Sequence, residues 1–383
     1  MSSTTDTQLW PASGAATVRE ILQQPDVWRE ASDNLESRRG ELQSFLAPLL
    51  AQPTLRIVLT GAGTSAFVGS IAAPALSRLL DRRVDAVATT DIVSNPRVYF
   101  AEDVPTLLVS FARSGNSPES IAATQLADEV LSDVSHLILT CDEAGRLFRE
   151  HADRPKSKVV LMPERANDEG FAMTSSFTSM LLSSLLVLGG SEGVPVAALA
   201  AGATRALETM QRPARELATR SFERVVYLGS GPLTGLARES ALKLLELTAG
   251  KVVSYYDSSL GFRHGPKSVL TDKTLVIVYV SSDPYTRRYD LDIIAELQDA
   301  IPASNLVVIS ALPVTLHDDV HTFVFEELSA LDDAFLAVAF VVFAQLLALS
   351  FSTELGITTD NPFPGGGVNR VVKGVQIYPL GDA

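Results

Sequence analysis

Apolar and polar positions along this chain follow two regimes. Over residues 18–50, VREILQQPDVWREASDNLESRRGELQSFLAPLL, apolar residues recur at helical spacing opposite a charged face. Pro25 interrupts the pattern, and Pro48 and Pro53 punctuate its end. This predicts an N-terminal helical arm, residues 1–52, lying on the body of the protein. From residue 55 onward, short apolar runs alternate with helix-patterned stretches. LRIVLTG (55–61), VDAVATT (84–90), TLLVSFA (106–112), HLILTCD (136–142) and KVVLMPE (158–164) read as buried strands. TSAFVGSIAAPALSRLL and PESIAATQLADEVLS read as helices between them. Near-continuous apolar strands separated by helices predict a parallel sheet covered on both faces.

The pattern then restarts. RVVYLGSG (224–231) copies LRIVLTGAG in type, and KVVSYYD (251–257), TLVIVYVSS (274–282), NLVVISA (305–311) and HTFVFEE (321–327) complete a second set. Gly61 to Ser110 spans 49 residues and Gly229 to Ser281 spans 52. Ser110 to Thr140 spans 30 and Ser281 to Ser310 spans 29. Each half closes on an apolar helix, 174–188 and 333–351. The expected fold is α/β: two tandem, doubly wound, flavodoxin-like sheets of five parallel strands. The expected division is 53–205 and 206–355 for the two domains and 356–383 for a C-terminal tail.

Composition narrows the function. The 383 residues are 46% hydrophobic and 20% charged, enough apolar material for folded cores. A net charge of −14 argues against nucleic acid, whose phosphate backbone needs clustered Lys and Arg. A single phosphate held by backbone N–H groups at a helix start needs little net positive charge. The one cysteine, Cys141, sits at the end of an apolar run and reads as a small core residue. The N-terminal residues lack the basic start and apolar core of a secretory signal, so a cytoplasmic location is expected. The 18 residues 334–351 approach membrane-span length. Flanking Asp332, Asp333 and Glu354, with no basic flank, favour instead a helix buried at a domain or subunit interface, and no membrane partner.

In open parallel sheets ligands bind where strands end, near the reversal of strand order. Two loops there stand out. Gly61-Ala62-Gly63-Thr64-Ser65 combines backbone freedom with two hydroxyls at a helix start. Ser110-Phe111-Ala112-Arg113-Ser114-Gly115-Asn116-Ser117-Pro118 is dense in short donors, carries one Arg and leads into a helix. Together Gly63, Thr64, Ser65, Ser110, Arg113, Ser114, Asn116 and Ser117 form a candidate phosphomonoester cradle. A dinucleotide site is the competing reading, with Asp91 as the ribose acid. The fingerprint's third glycine is replaced by Ala66. No metal-ligand spacing appears among His136, His151, His264, His317 and His321, and neither a metal nor a cofactor is expected.

GAGTS followed by SFARSGNSPES resembles the sugar isomerase (SIS) domain. LGSGPLTGLARESALKLLELTAGKVVSYYDSSLGFRHGPKSVL resembles the isomerase half of glucosamine-6-phosphate synthase. ARSGNSPES, GFRHGPK, SSDPYTRRYDLD and the tail DNPFPGGGVNRVVKGVQIYP resemble the galactosamine-6-phosphate deaminase/isomerase branch, also called tagatose-6-phosphate ketose/aldose isomerase. The resemblance covers roughly residues 50–383. It implies that Thr64, Ser65, Ser114 and Ser117 hold the substrate phosphate, and that the turn containing Thr174 contacts the sugar. Synthases carry Ser and Gln where this chain has Ala112 and Arg113, so Arg113 contacts either phosphate or sugar. Glu246, from periodicity alone a helix-surface glutamate, becomes the base that moves a proton between C1 and C2. His264, in GFRHGPK, opens the sugar ring and reaches in from the neighbouring subunit, which implies a homodimer with composite sites. Lys373 matches a C-terminal lysine that forms an imine with the open-chain sugar. The expected reaction converts galactosamine 6-phosphate to tagatose 6-phosphate and ammonia. A plain ketose/aldose isomerase and a phosphosugar-binding regulator remain the alternatives. The synthase's glutamine-dependent reaction is not expected, since fifty residues without a cysteine cannot supply a glutaminase domain.

Overall fold

The computed structural model describes Trp10 and residues 14–190, 193–372 and 374–381. Among the described residues ten strands form two sheets of five, all parallel. The first comprises β1 (Arg56–Thr60), β2 (Val84–Ala86), β3 (Thr106–Ala112), β4 (Val134–Thr140) and β5 (Ser157–Leu161), ordered β2-β1-β3-β4-β5. The second comprises β6 (Arg224–Gly229), β7 (Val253–Asp257), β8 (Thr274–Tyr279), β9 (Leu306–Ser310) and β10 (His321–Val324), ordered β10-β9-β8-β6-β7. Read from its own first strand, the second sheet repeats the order of the first. This is the flavodoxin-like order, with the reversal at β1/β3 and again at β6/β8.

Every run read as a strand contains one. β3 and β4 are buried along their whole length, as expected of strands covered on both faces. The shortest is β2, because the backbone N–H of Thr89 donates to the carbonyl of Gly61 at 2.8 Å and the chain turns into the helix Thr89–Ser94. The arm is three helices, Ala15–Leu22, Gln24–Ser37 and Arg39–Leu50, with Pro25 in a first turn, where its missing N–H costs nothing.

The chain divides into two compact units that exchange segments. The first-sheet unit comprises Val27–Asp168, Ser175–Val194 and Gly365–Ala383. The second-sheet unit comprises Met1–Asp26, Glu169–Thr174 and Pro195–Pro364. Where the sequence reading divides the chain at 205/206, one continuous helix, Val196–Ala218, runs through. Its amphipathic pattern buries Ala203, Ala206, Leu207 and Met210 in succession, so no linker forms there.

The apolar segment of the second half is the helix Asp333–Glu354, buried from Asp333 to Ser352. It packs on Val196–Ala218, Pro232–Leu247 and Ala15–Leu22 within its own unit. Its polar Gln345 accepts a hydrogen bond from Gln24 Nε2 at 2.7 Å, which answers the desolvation of that acceptor. In the first-sheet unit the helix Ser175–Gly189 has the corresponding place, and Trp28 Nε1 donates to Thr178 Oγ1 at 2.9 Å to hold the arm there.

The first-sheet unit also buries two imidazoles, His136 and His151, with ring centroids 4.8 Å apart. His136 Nε2 meets Asp128 at 2.8 Å and His151 Nδ1 meets Ser157 Oγ at 2.9 Å. Burial, then the neighbouring His136 and Arg154, push the His151 pKa down to about 4. An unfolded imidazole takes its proton near about 6.5. Stability therefore falls as pH drops from about 6.5 to about 4, because only the unfolded chain gains that proton; at ~1.4 kcal/mol per unit the loss is at most about 3.5 kcal/mol. His151→Gln is expected to flatten this part of the stability profile, measured by urea unfolding at a series of pH values. A variant profile as steep as the wild type's would contradict the assignment.

Candidate active site

The first crevice is built by two glycines. A Cβ on Gly61 would lie 2.6 Å from the backbone of Ser65, so only glycine lets the helix Thr64–Leu79 start so close to β1. Gly63 has φ +55° and ψ −128°, a conformation side-chain-bearing residues avoid. The chain therefore turns sharply and sets a helix N-terminus, with its partial positive charge, at the end of β1. Thr64 and Ser65 are buried in the first turn.

Beside it, Thr60 pairs in register with Ser110 at the β1/β3 reversal. Thr60 Oγ1, Ser110 Oγ and Thr89 Oγ1 are all buried, and among the described residues none has a hydrogen-bond partner. Buried polar groups are nearly always satisfied, and each exception needs a reason. The unmet hydroxyls of Thr60 and Ser110 at the strand-order reversal, with that of Thr89 after the neighbouring β2, point to polar atoms supplied from outside.

The loop after β3 is braced. Asn116 Nδ2 donates to the Ser114 carbonyl at 3.0 Å, and its Oδ1 accepts from the Arg146 N–H at 3.0 Å, so this amide shapes the loop. Gly115 has φ +62°. Ser117 Oγ donates to Ser120 Oγ at 2.6 Å as the helix Pro118–Val130 begins. Arg113 is buried, and its Nη2 donates to the carbonyl of Arg370 in the C-terminal tail at 3.2 Å. Part of its guanidinium therefore ties the tail to the phosphate-type loop. Cys141 lies beneath: burial, then the charge of Asp168, push its thiol up, which leaves it inert. Asp168, not anticipated from the sequence, is fully buried and accepts from Ser175 N at 3.0 Å and Ser176 N at 2.9 Å, capping the next helix.

Thr174, Glu246 and His264 belong to the second-sheet unit. Thr174 is fully buried. Glu246 stands in the last turn of the helix Pro232–Leu247, which starts from Gly231 at φ +56° and ψ −127°, the geometry of Gly63 repeated. Lys243, one turn earlier, is completely buried. Its Nζ lies 2.5 Å from Glu246 Oε2 and 3.4 Å from Glu239 Oε1. Burial alone would lower the lysine's pKa, but the carboxylates of Glu239 and Glu246 more than offset this and leave it raised. One oxygen of Glu246 is thus fixed by a charged hydrogen bond. Among the described residues the other, Oε1, accepts no hydrogen bond and is the available proton acceptor. The ladder was readable in principle: 239, 243 and 246 are spaced by four and three, on one helix face.

His264 follows the 3₁₀ turn Gly261–Arg263 and is exposed. Among the described residues no hydrogen bond or ion pair joins it to Glu246. Its neighbours Arg263 and Lys267 both pair with Glu296. Lys373 lies outside the described residues. Among the described residues no three His, Cys, Asp or Glu side chains converge as metal ligands.

Lys243→Met removes the cation and leaves Glu239 buried without it. Breaking a buried pair on one side costs about 3–5 kcal/mol, so urea unfolding should show a loss of that order. Unchanged stability would mean that the ladder is not formed.

Residues 49–188 match the SIS domain. The D-galactosamine-6-phosphate deaminase AgaS of Escherichia coli is 45% identical over 380 residues, covering 96% of this chain and 97% of that one. A Streptomyces coelicolor protein given the same name provisionally is 55% identical over 97% of both chains. A crystal structure from Escherichia coli named tagatose-6-phosphate ketose/aldose isomerase superposes with a TM-score of 0.89 at 42% identity, covering 96% of this chain and 97% of that one. Likeness of this extent embraces both sheets, the arm and the tail, and the chain belongs to the SIS-domain family of the AgaS D-galactosamine-6-phosphate deaminases.

Proposed function

We propose that this protein deaminates and isomerises galactosamine 6-phosphate, giving tagatose 6-phosphate and ammonia. The observation that carries the reading is the 45% identity with the Escherichia coli AgaS deaminase over almost the whole length of both chains. The site chemistry supports it residue by residue. The phosphate is held in the first crevice by Thr64, Ser65, Ser114 and Ser117, with Gly63 giving backbone access and Ser110 supplying a buried hydroxyl. Arg113 closes the loop against the tail, and Asn116 keeps its shape.

The sugar ring opens with His264 moving the proton between O1 and the ring oxygen. Its exposure on its own unit suits a side chain offered to a neighbouring subunit, hence a homodimer with composite sites. Glu246 Oε1 then takes the proton from C2 while O1 takes one from the substrate's ammonium, so that the aldehyde becomes an enol, and the same carboxyl returns a proton to C1. The product of this shift has a hydroxymethyl C1 and an iminium at C2. The amine of Lys373 displaces ammonia from C2, and water releases the ketone from the lysine imine. Thr174 contacts the sugar from its buried turn. A phosphorylated sugar does not cross a lipid bilayer, so the reaction belongs in the cytoplasm.

The name of the solved Escherichia coli structure favours a second reading, aldose/ketose isomerisation without loss of nitrogen. Both readings share the proton shift and differ in the fate of C2. Purified protein is expected to release ammonia from galactosamine 6-phosphate in step with ketose formation. Turnover of tagatose 6-phosphate without any ammonia from the amino sugar would replace deamination with the plain isomerase. Glu246→Gln is expected to lower kcat by about 10²–10⁴-fold, with a smaller change in KM. Unchanged kcat would remove Glu246 from the chemistry, and binding without turnover in the wild type would indicate a regulator.

A further inference from the structure

The two sheets share a backbone plan but not its polar contents. Gly229 repeats Gly61, since a Cβ there would lie 2.6 Å from the Leu233 carbonyl oxygen. Gly231 repeats Gly63 in both dihedral angles. Leu228 pairs with Val278 as Thr60 pairs with Ser110. The structural counterpart of Ser110 is therefore Val278, not Ser281 as the spacing suggested. The counterpart of Arg113 is Ser281, and the counterpart of Ala62 is Ser230. The helices after β3 and β8, Pro118–Val130 and Thr286–Ala300, begin at the same distance past these pairs. Asp290 thus falls where Ala122 stands in the first half.

Asp290 is fully buried, and hydrogen bonds converge on its carboxylate from three strand ends. Ser230 Oγ, after β6, donates to Oδ1 at 2.5 Å. Ser259 Oγ, after β7, donates to Oδ1 at 2.5 Å. The backbone N–H of Ser281, after β8, donates to Oδ2 at 2.9 Å. Two hydroxyls and an amide at a strand-order reversal are the donor set expected around a phosphate. The other donors nearby are taken by Asp333, which accepts from Ser281 Oγ at 2.5 Å and Ser282 N at 2.7 Å. In the first crevice the hydroxyls of Thr60, Thr89 and Ser110 have no partner among the described residues, and the position of Asp290 holds the methyl group of Ala122.

We propose that the second crevice is a phosphate-type anion site occupied by the chain's own Asp290 carboxylate, so that it takes no external anion. The repeated unit then offers one phosphate cradle per chain, and the other crevice is tied shut as a structural joint among β6, β7, β8 and the helix Thr286–Ala300. The ligand class that fits it once Asp290 is shortened is a small tetrahedral oxyanion. Arg287, one turn before Asp290 and bonded to Ser310 Oγ at 3.0 Å, supplies the nearby positive charge.

Asp290→Ala removes the internal anion and leaves the donors of Ser230, Ser259 and Ser281 facing one another. Thermal melting of the full chain is compared with and without inorganic phosphate for the wild type, Asp290→Ala and the space-filling Asp290→Asn. The expected result is a larger phosphate-induced rise in Tm for Asp290→Ala than for the other two. Equal rises in all three would overturn the proposal. Phosphate bound in the first crevice, or absent from it, contributes alike to every variant, so the difference does not depend on the proposed activity. Where Asp290→Ala does not fold unaided, its refolding from urea is compared in phosphate and in chloride at equal ionic strength. Recovery in phosphate alone supports the proposal, and failure in both overturns it.

Discussion

A fully buried ammonium governs the chemistry available to this chain. Lys243 lies between Glu239 and Glu246 on one face of the helix Pro232–Leu247, and no charge survives in such surroundings without partners. The pairing fixes the last turn of that helix and, with it, one oxygen of Glu246; in the proposed mechanism the other oxygen moves the proton. Its position traces back to Gly231, whose left-handed backbone starts the helix directly at the end of β6. A strand-end glycine thus sets a helix, the helix sets a lysine, and the lysine sets a carboxylate.

The same glycine geometry at Gly63 serves a different purpose. There the residues around the strand-order reversal carry hydroxyls, several of them without a partner among the described residues. In the second sheet the corresponding donors are taken up internally by Asp290 and Asp333. One backbone plan, used twice, carries buried hydroxyls in one copy and, under the proposed mechanism, a proton-transfer carboxylate in the other. This division explains how a chain of net charge −14 handles an anionic substrate: the donors are neutral hydroxyls and amides, which need no excess of Lys and Arg.

The inner strands were legible because both faces are covered, so each is a nearly unbroken apolar run, while the edge strands β7 and β10 are only partly buried. The exception was VDAVATT, whose second half is apolar and β-branched yet forms no strand beyond Ala86. There the hydrogen bond from Thr89 N to Gly61 O diverts the chain, a contact that local pattern does not encode. The loops of the first crevice were legible as clusters of glycine and hydroxyls. Asp290 was not, since its partners come from three strand ends far apart in sequence. Lys243 and Glu239 were passed over for a different reason: lysine is rarely buried, and charge at helical spacing usually marks a solvated face. The continuity of Val196–Ala218 across the expected domain boundary shows the same limit, because a two-domain repeat in sequence does not say which unit a connecting helix joins.

In the proposed mechanism the carboxylate held by Lys243 moves the proton between C2 and C1. This step is tested most directly with galactosamine 6-phosphate carrying deuterium at C2, turned over in ordinary water. Transfer by a single carboxylate predicts that part of the deuterium arrives at C1 of tagatose 6-phosphate. It also predicts that the slow residual turnover of Glu246→Gln, which still binds the sugar phosphate, carries no deuterium to C1. Deuterium at C1 in the product of Glu246→Gln would contradict the account.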